Sequence, residues 1–138
     1  MGLIFLDANV LFSAAYRPDA GLRRLWVLPG VRRITSVYAA EEARRNLSRH
    51  LSRPKQREDL EELLGSVEVI ATAPSTGQPL FSTIELPDKD QPILLAAIGA
   101  WATHLLSGDF QHFGPYYGKR IEGVLILSPG DYLSSRPE

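Results

Sequence analysis

Four acids in this 138-residue chain occupy positions unlike those of ordinary surface charge: Asp7, Glu42, Asp90 and Asp109. Asp7 ends the apolar run LIFLD, Asp109 follows the run HLLSG, and Asp90 opens a helical segment that begins DQPILLAA. Carboxylates at such places converge on one edge of a sheet, and a cluster of them repels itself unless a cation fills it. The chain has no cysteine, and its three histidines, His50, His104 and His112, show no metal-binding spacing. Oxygen-only ligands select a hard divalent cation such as Mg2+ or Mn2+. Such a centre suits hydrolysis of a phosphate ester, because a bound metal activates water and offsets charge on the phosphate.

Each acid also has a plainer role to weigh. Asp7 could cap the helix that follows it, and Asp109 could be a turn residue. Asp90 could cap its helix with Pro92 in the first turn, and Asp88 could serve that cap instead. Asn9 and Ser107 are the small polar groups best placed to support Asp7 and Asp109. Glu42 must be separated from Glu41. Glu41 has Arg44 at i+3 and Arg45 at i+4, a solvated ion-pair face, whereas Glu42 shares a stripe with Ala39 and Asn46. Glu42 is therefore the inward acid. Asp131 reads as the end of a capping box opened by Ser128. His104 reads as structural and His112 as a rim residue. No glycine-rich phosphate loop, GxSxG elbow or HExxH is present.

The net charge of −1 conceals an asymmetry. Residues 17–57 carry eleven Arg or Lys against three acids, and residues 58–138 carry four against twelve. Ten of those eleven bases are arginine, the side chain suited to bidentate phosphate contact. Arg44, Arg45, Arg49 and Arg53 are the best candidates for contacts to a nucleic-acid backbone, although a solvated helical surface accounts for the same charge.

The elements that must position these groups alternate. Strands are expected at 3–7, 32–36, 66–71, 104–107 and 123–127. Helical segments are expected after Asp7, at 21–28, 37–51, 54–64 and 88–102, and a last turn opens at Ser128. Residues 72–87 read as loop with some extended structure near 80–85. Ile93, Ala97 and Trp101 form the expected apolar stripe of the long helix. The length suits one domain, residues 1–138, with a parallel sheet covered on both faces. Ligands bind such sheets at the strands' C-terminal edge, where strand order reverses, so Asp7 and Asp109 meet there if their strands are neighbours. The apolar N-terminus lacks the basic region of a signal peptide, and the run from Ile93 to Leu106 is too short and interrupted to span a membrane. A cytoplasmic protein is expected.

The segments FLDANVLFSA, TSVYAAEEARRNL, PDKDQPILLAAI and LLSGDFQHFGP, in that order, resemble the PIN-domain family of metal-dependent ribonucleases. They are most similar to the short toxins of toxin–antitoxin pairs, the VapC-like proteins. The closing segment YYGKRIEGVLILSPGDYL is similar to a subgroup of these. The resemblance implies a three-layer α/β/α sandwich and assigns the family's acids to Asp7, Glu42, Asp90 and Asp109. It makes Asn9 the small polar partner, and it finds Ser107 where Thr is more usual. Many relatives carry a further acid where this chain has Gln111 or His112.

The resemblance further implies Mg2+ or Mn2+, an RNA substrate, a cognate antitoxin and a homodimer. Hydrolysis by in-line attack would leave a 5′-phosphate and a 3′-hydroxyl. Two other functions fit the same chain. One is a nuclease-inactive PIN-like module that binds RNA or a protein, against which the full set of four acids argues. The other is a phosphohydrolase with Asp7 as covalent nucleophile, which would call for an acid where Asn9 stands.

Overall fold

Strand β1 (Gly2–Leu6) lies at the centre of a sheet whose order is β3-β2-β1-β4-β6-β5. The computed structural model describes residues 2–19, 21–50, 53–71 and 84–135. The remaining strands are β2 (Val31–Ser36), β3 (Glu68–Ile70), β4 (His104–Leu106), β5 (Arg120–Ile121) and β6 (Val124–Leu127). All pairings are parallel except that of β5 with β6. Ile4, Phe5 and Leu6 in β1 and Leu105 and Leu106 in β4 are fully buried, the continuous apolar pattern of a strand covered on both faces.

The helices are α1 (Ala8–Tyr16), α2 (Val37–Arg49), α3 (Pro54–Gly65), α4 (Gln91–Gly99) and α5 (Pro129–Ser135). The helices α1, α2 and α3 pack together, α1 against both α2 and α3, and the right-handed rule for parallel crossovers puts them on one face of the sheet. The connection through α4 runs back across β2 and β1 to β4 and so covers the other face. The result is the three-layer α/β/α sandwich expected from the sequence. No helix among the described residues is long and apolar enough to cross a membrane.

Several local expectations need correction. Residues 22–27 form a 3-10 helix. The long helix is shorter than 88–102, and its apolar stripe does not reach Trp101, which is 86% exposed. The chain leaves α4 through a left-handed residue at Trp101 (φ 60°), with the Ala102 N–H bonded to the Ala97 carbonyl at 3.0 Å. That turn is a helix stop usually made by glycine, and it throws the indole outward while burying Ala102. The strand β5 was not expected. Two residues are too few to show alternation, and the turn at Glu122-Gly123, both with positive φ, joins it to β6. The extended structure expected near 80–85 lies largely outside the described residues.

Candidate active site

β1 and β4 are neighbours and parallel, with Leu6 opposite Leu106. Strand order reverses between them, since β2 and β3 extend to one side and β6 and β5 to the other. The residues just beyond these two strands, Asp7 and the Ser107-Gly108-Asp109 turn, therefore share one crevice.

Asp7 is 3% exposed and is the residue before α1. Its Oδ1 accepts the Ala8 N–H at 2.6 Å, so the plain capping role is real. Its Oδ2 accepts from Ser107 Oγ at 2.8 Å and from Asn9 Nδ2 at 3.1 Å. Asn9 continues the link, its Oδ1 accepting the Gly108 N–H at 2.7 Å. A side chain at position 108 would begin 3.3 Å from that oxygen, so glycine lets the turn close on Asn9. Burial pushes the Asp7 carboxyl up to about 6; the Ser107 and Ala8 hydrogen bonds oppose this, and the charges of Glu42 and Asp90 add to it. Both oxygens being buried and hydrogen-bonded, Asp7 is poorly placed as a covalent nucleophile.

Glu42 reaches the same crevice from α2. Ser36 ends β2 and caps α2, its Oγ accepting the Ala39 N–H at 3.1 Å. Ala39, Ala40, Ala43 and Leu47 are buried, and this face turns Glu42 half inward while Glu41 stays exposed. Burial raises the Glu42 carboxyl above its ordinary value, and among its neighbours Lys89 and Arg45 lower it while Asp90 and Asp109 raise it. Tyr38, one turn earlier, donates to the Lys89 carbonyl at 2.7 Å and ties α2 to the approach of α4.

Asp90 is 5% exposed and precedes α4, yet its side chain makes no capping hydrogen bond. The strong capping role expected of it is absent. Asp88 Oδ1 instead meets Gln91 Nε2 at 3.5 Å. Asp90 Oδ2 is buried without a hydrogen-bond partner. His112 Nδ1 lies 3.0 Å from it but outside hydrogen-bond geometry, and Lys89 Nζ lies 3.6 Å from Oδ1. Asp109 Oδ1 accepts the His112 N–H at 3.1 Å, and its Oδ2 is 2.8 Å from His112 Nδ1. The Asp109 N–H in turn donates to Ser107 Oγ at 3.1 Å.

The sequence points to Asp7, Asp90 and Asp109 as metal ligands, with Glu42 binding directly or through water. The fold closes a tighter group of Asp90, Asp109 and His112, whose donor atoms all lie within 4.8 Å of one another. Asp7 and Glu42 stand outside that group, and their charges act on it. A divalent cation fits here, because a buried carboxylate oxygen without a hydrogen bond faces two further donors. His112 is the site residue that sequence reasoning misses. Its three-residue spacing from Asp109 is the available signal, and only the turn at 110–113 brings its ring back between the acids. Tyr117, which donates to the Ser107 carbonyl at 2.7 Å, is a second such residue.

The arginines divide. Arg44 is held by Glu61 of α3 through Nε at 2.7 Å and Nη2 at 2.9 Å, so its expected pairing along α2 gives way to one between helices. Arg45 acts electrostatically on Glu42. Arg49 and Arg53 are exposed.

No protein-family model and no curated protein matches the sequence. Solved structures do match. VapBC2 from Rickettsia felis, bound to a promoter DNA fragment, aligns over 91% of this chain and 98% of its own, with a TM-score of 0.69 and 15% identity. VapBC-1 from nontypeable Haemophilus influenzae aligns over 93% and 98%, with a TM-score of 0.61 and 15% identity. VapC20 of Mycobacterium tuberculosis, a sarcin–ricin loop cleaving toxin, aligns over 78% and 92%, with a TM-score of 0.59 and 18% identity. The chain thus has the PIN-like fold of the VapC proteins.

Proposed function

We propose that this protein is a divalent-metal-dependent endoribonuclease and the toxin of a toxin–antitoxin pair. The observation that carries the reading is the convergence of Asp7, Glu42, Asp90 and Asp109 on the crevice between β1 and β4. Asp90 and Asp109 are the direct metal donors. Asp7 and Glu42 complete the negative field, and Asn9 and Ser107 hold Asp7 and the Asp109 turn in place. Mg2+ or Mn2+, when bound, would supply Lewis acidity toward the phosphate and an activated water. The chain's own part is to fix the carboxylates before substrate arrives. Glu42, half-buried at the crevice and with raised proton affinity, is the group suited to take the proton of the attacking water. Products would carry a 5′-phosphate and a 3′-hydroxyl. Arg45, Arg49 and Arg53, all exposed, are the candidates for RNA backbone contacts, with Arg44 behind them. The structural neighbours from Rickettsia and Haemophilus are VapBC complexes, and this supports a cognate antitoxin as partner. A homodimer and a cytoplasmic setting belong to the same reading.

The test is cleavage of RNA by purified protein with Mg2+ or Mn2+, with EDTA and with an Asp90→Asn variant. Cleavage that requires the metal and Asp90 supports the reading. Cleavage that survives EDTA and extensive dialysis sinks it.

A further inference from the structure

The residue between Asp90 and Asp109 is neither an acid nor an amide. His112 Nδ1 sits 2.8 Å from Asp109 Oδ2 and 3.0 Å from Asp90 Oδ2. Its side chain is 25% exposed, so the ring is not sealed from solvent. Asp90 Oδ2, on a residue 5% exposed, has no hydrogen bond. The ring nitrogen makes its hydrogen bond with Asp109 Oδ2, at 2.8 Å, and leaves Asp90 Oδ2, 3.0 Å away and buried, facing it without one. Two donors at adjacent corners of an octahedron with bonds of about 2.1 Å lie roughly 3.0 Å apart. The 3.0 Å separation to Asp90 Oδ2, where no hydrogen bond is made, matches that edge, and a shared cation would replace the 2.8 Å hydrogen bond to Asp109.

We propose that His112 is itself a metal ligand, making the centre a mixed carboxylate–imidazole site that prefers a first-row transition cation of the Mn2+ type over Mg2+. Mg2+ favours oxygen donors and gives up water reluctantly, whereas an imidazole nitrogen suits the transition series. The turn after Asp109 brings an imidazole, a neutral donor, up to the two carboxylates. A neutral donor there lowers the summed negative charge, which weakens the electrostatic hold on any divalent ion. The nitrogen restores affinity only for cations that bond well to it. Selectivity therefore comes from the exchange of one donor type. This inference rests on the metal-dependent reading of the site and narrows it.

The experiment uses the whole chain loaded with Mn2+ and pulsed electron paramagnetic resonance, comparing unlabelled protein with protein carrying 15N-histidine. The expected result is a nitrogen coupling that changes with the label and is lost in His112→Asn. Titration calorimetry should show Mn2+ affinity falling by about tenfold or more in that variant while Mg2+ affinity changes much less. His112→Gln serves as the second variant, and the parent protein alone already gives the coupling. Mn2+ bound with no histidine coupling would overturn the proposal and leave the acidic metal site standing. Equal losses for Mn2+ and Mg2+ in both variants would overturn it too. Failure to bind Mn2+ at all, with Asp90→Asn behaving like the parent, would overturn both the proposal and the metal-dependent reading beneath it.

Discussion

Ser107 Oγ donates to Asp7 Oδ2 at 2.8 Å, joining residues one hundred positions apart, and the same oxygen accepts the Asp109 N–H at 3.1 Å. One hydroxyl thus spaces two of the acids. Ser107 and Asp7 are both buried, so removing the hydroxyl leaves two polar groups poorly satisfied. Ser107→Ala should cost about 1–3 kcal/mol of stability and lower cleavage, while Ser107→Thr, which keeps the hydroxyl, should retain most of both. Denaturant melts and a cleavage assay would check this. An alanine variant that matches the parent in both would show that the bridge is dispensable.

Asp90 offers a cleaner test of charge repulsion than Asp7. Its Oδ2 has no hydrogen bond to lose, whereas Asp7 accepts three. Asp90→Asn should therefore be at least as stable as the parent in EDTA, and a gain of about 1 kcal/mol would raise Tm by roughly 3–5 °C. It should also lose most of the stabilisation that millimolar Mg2+ or Mn2+ gives the parent, since a ligand bound only by the folded state stabilises by mass action. A variant clearly less stable than the parent in EDTA would mean that Asp90 is structural.

Glu42→Gln should abolish cleavage, and Glu41→Gln should leave most of it. Glu42 is half-buried beside Asp90 and Asp109, whereas Glu41 is exposed. Both variants should fold, so circular dichroism together with the cleavage assay is sufficient. Reversed effects would place the wrong face of α2 toward the crevice.

Stability without metal should depend on pH through Asp7. Its folded value of about 6 lies above the ordinary 3.8, so between these values the folded protein holds more protons than the unfolded chain. Stability is then greatest near pH 4, falls as pH rises through about 6 and levels off above, a change on the order of 3 kcal/mol. Glu42 is shifted in the same direction. Asp59 and Glu61, held low by hydrogen bonds from Arg23 and Arg44, act oppositely and lose their stabilising effect only at more acid pH. Asp7→Asn should remove most of the decline, so its stability relative to the parent should improve from pH 4 to pH 7. An unchanged difference across that range would show that Asp7 is ionised throughout it.

Arg44 and Arg45 should separate in an RNA-binding assay. The Arg44 fork is occupied by Glu61, while Arg45 lies toward Glu42. Arg45→Ala should weaken binding and flatten its salt dependence, and Arg44→Ala should mainly loosen the contact between α2 and α3. Equal losses of RNA affinity would place both on the binding surface.

What the sequence determined by itself was the alternation of apolar strands and helices, and with it the placement of Asp7 and Asp109 just past two strands. A buried parallel strand must be a continuous apolar run, and LIFL and HLL are legible as such. The inward choice of Glu42 over Glu41 was legible too, because helical period alone sets which of two adjacent residues shares the alanine face. Tertiary structure decided the rest. That β1 and β4 are neighbours depends on the order in which crossovers close, which no local pattern encodes. The left-handed stop at Trp101 turns the indole out and Ala102 in, against the apparent stripe of α4. His112 became a site residue because the turn after Asp109 folds its ring between that carboxylate and Asp90 at the start of α4. Donor geometry between such residues is a property of the packed sheet edge, and it exists only once β1, β4 and α4 have met.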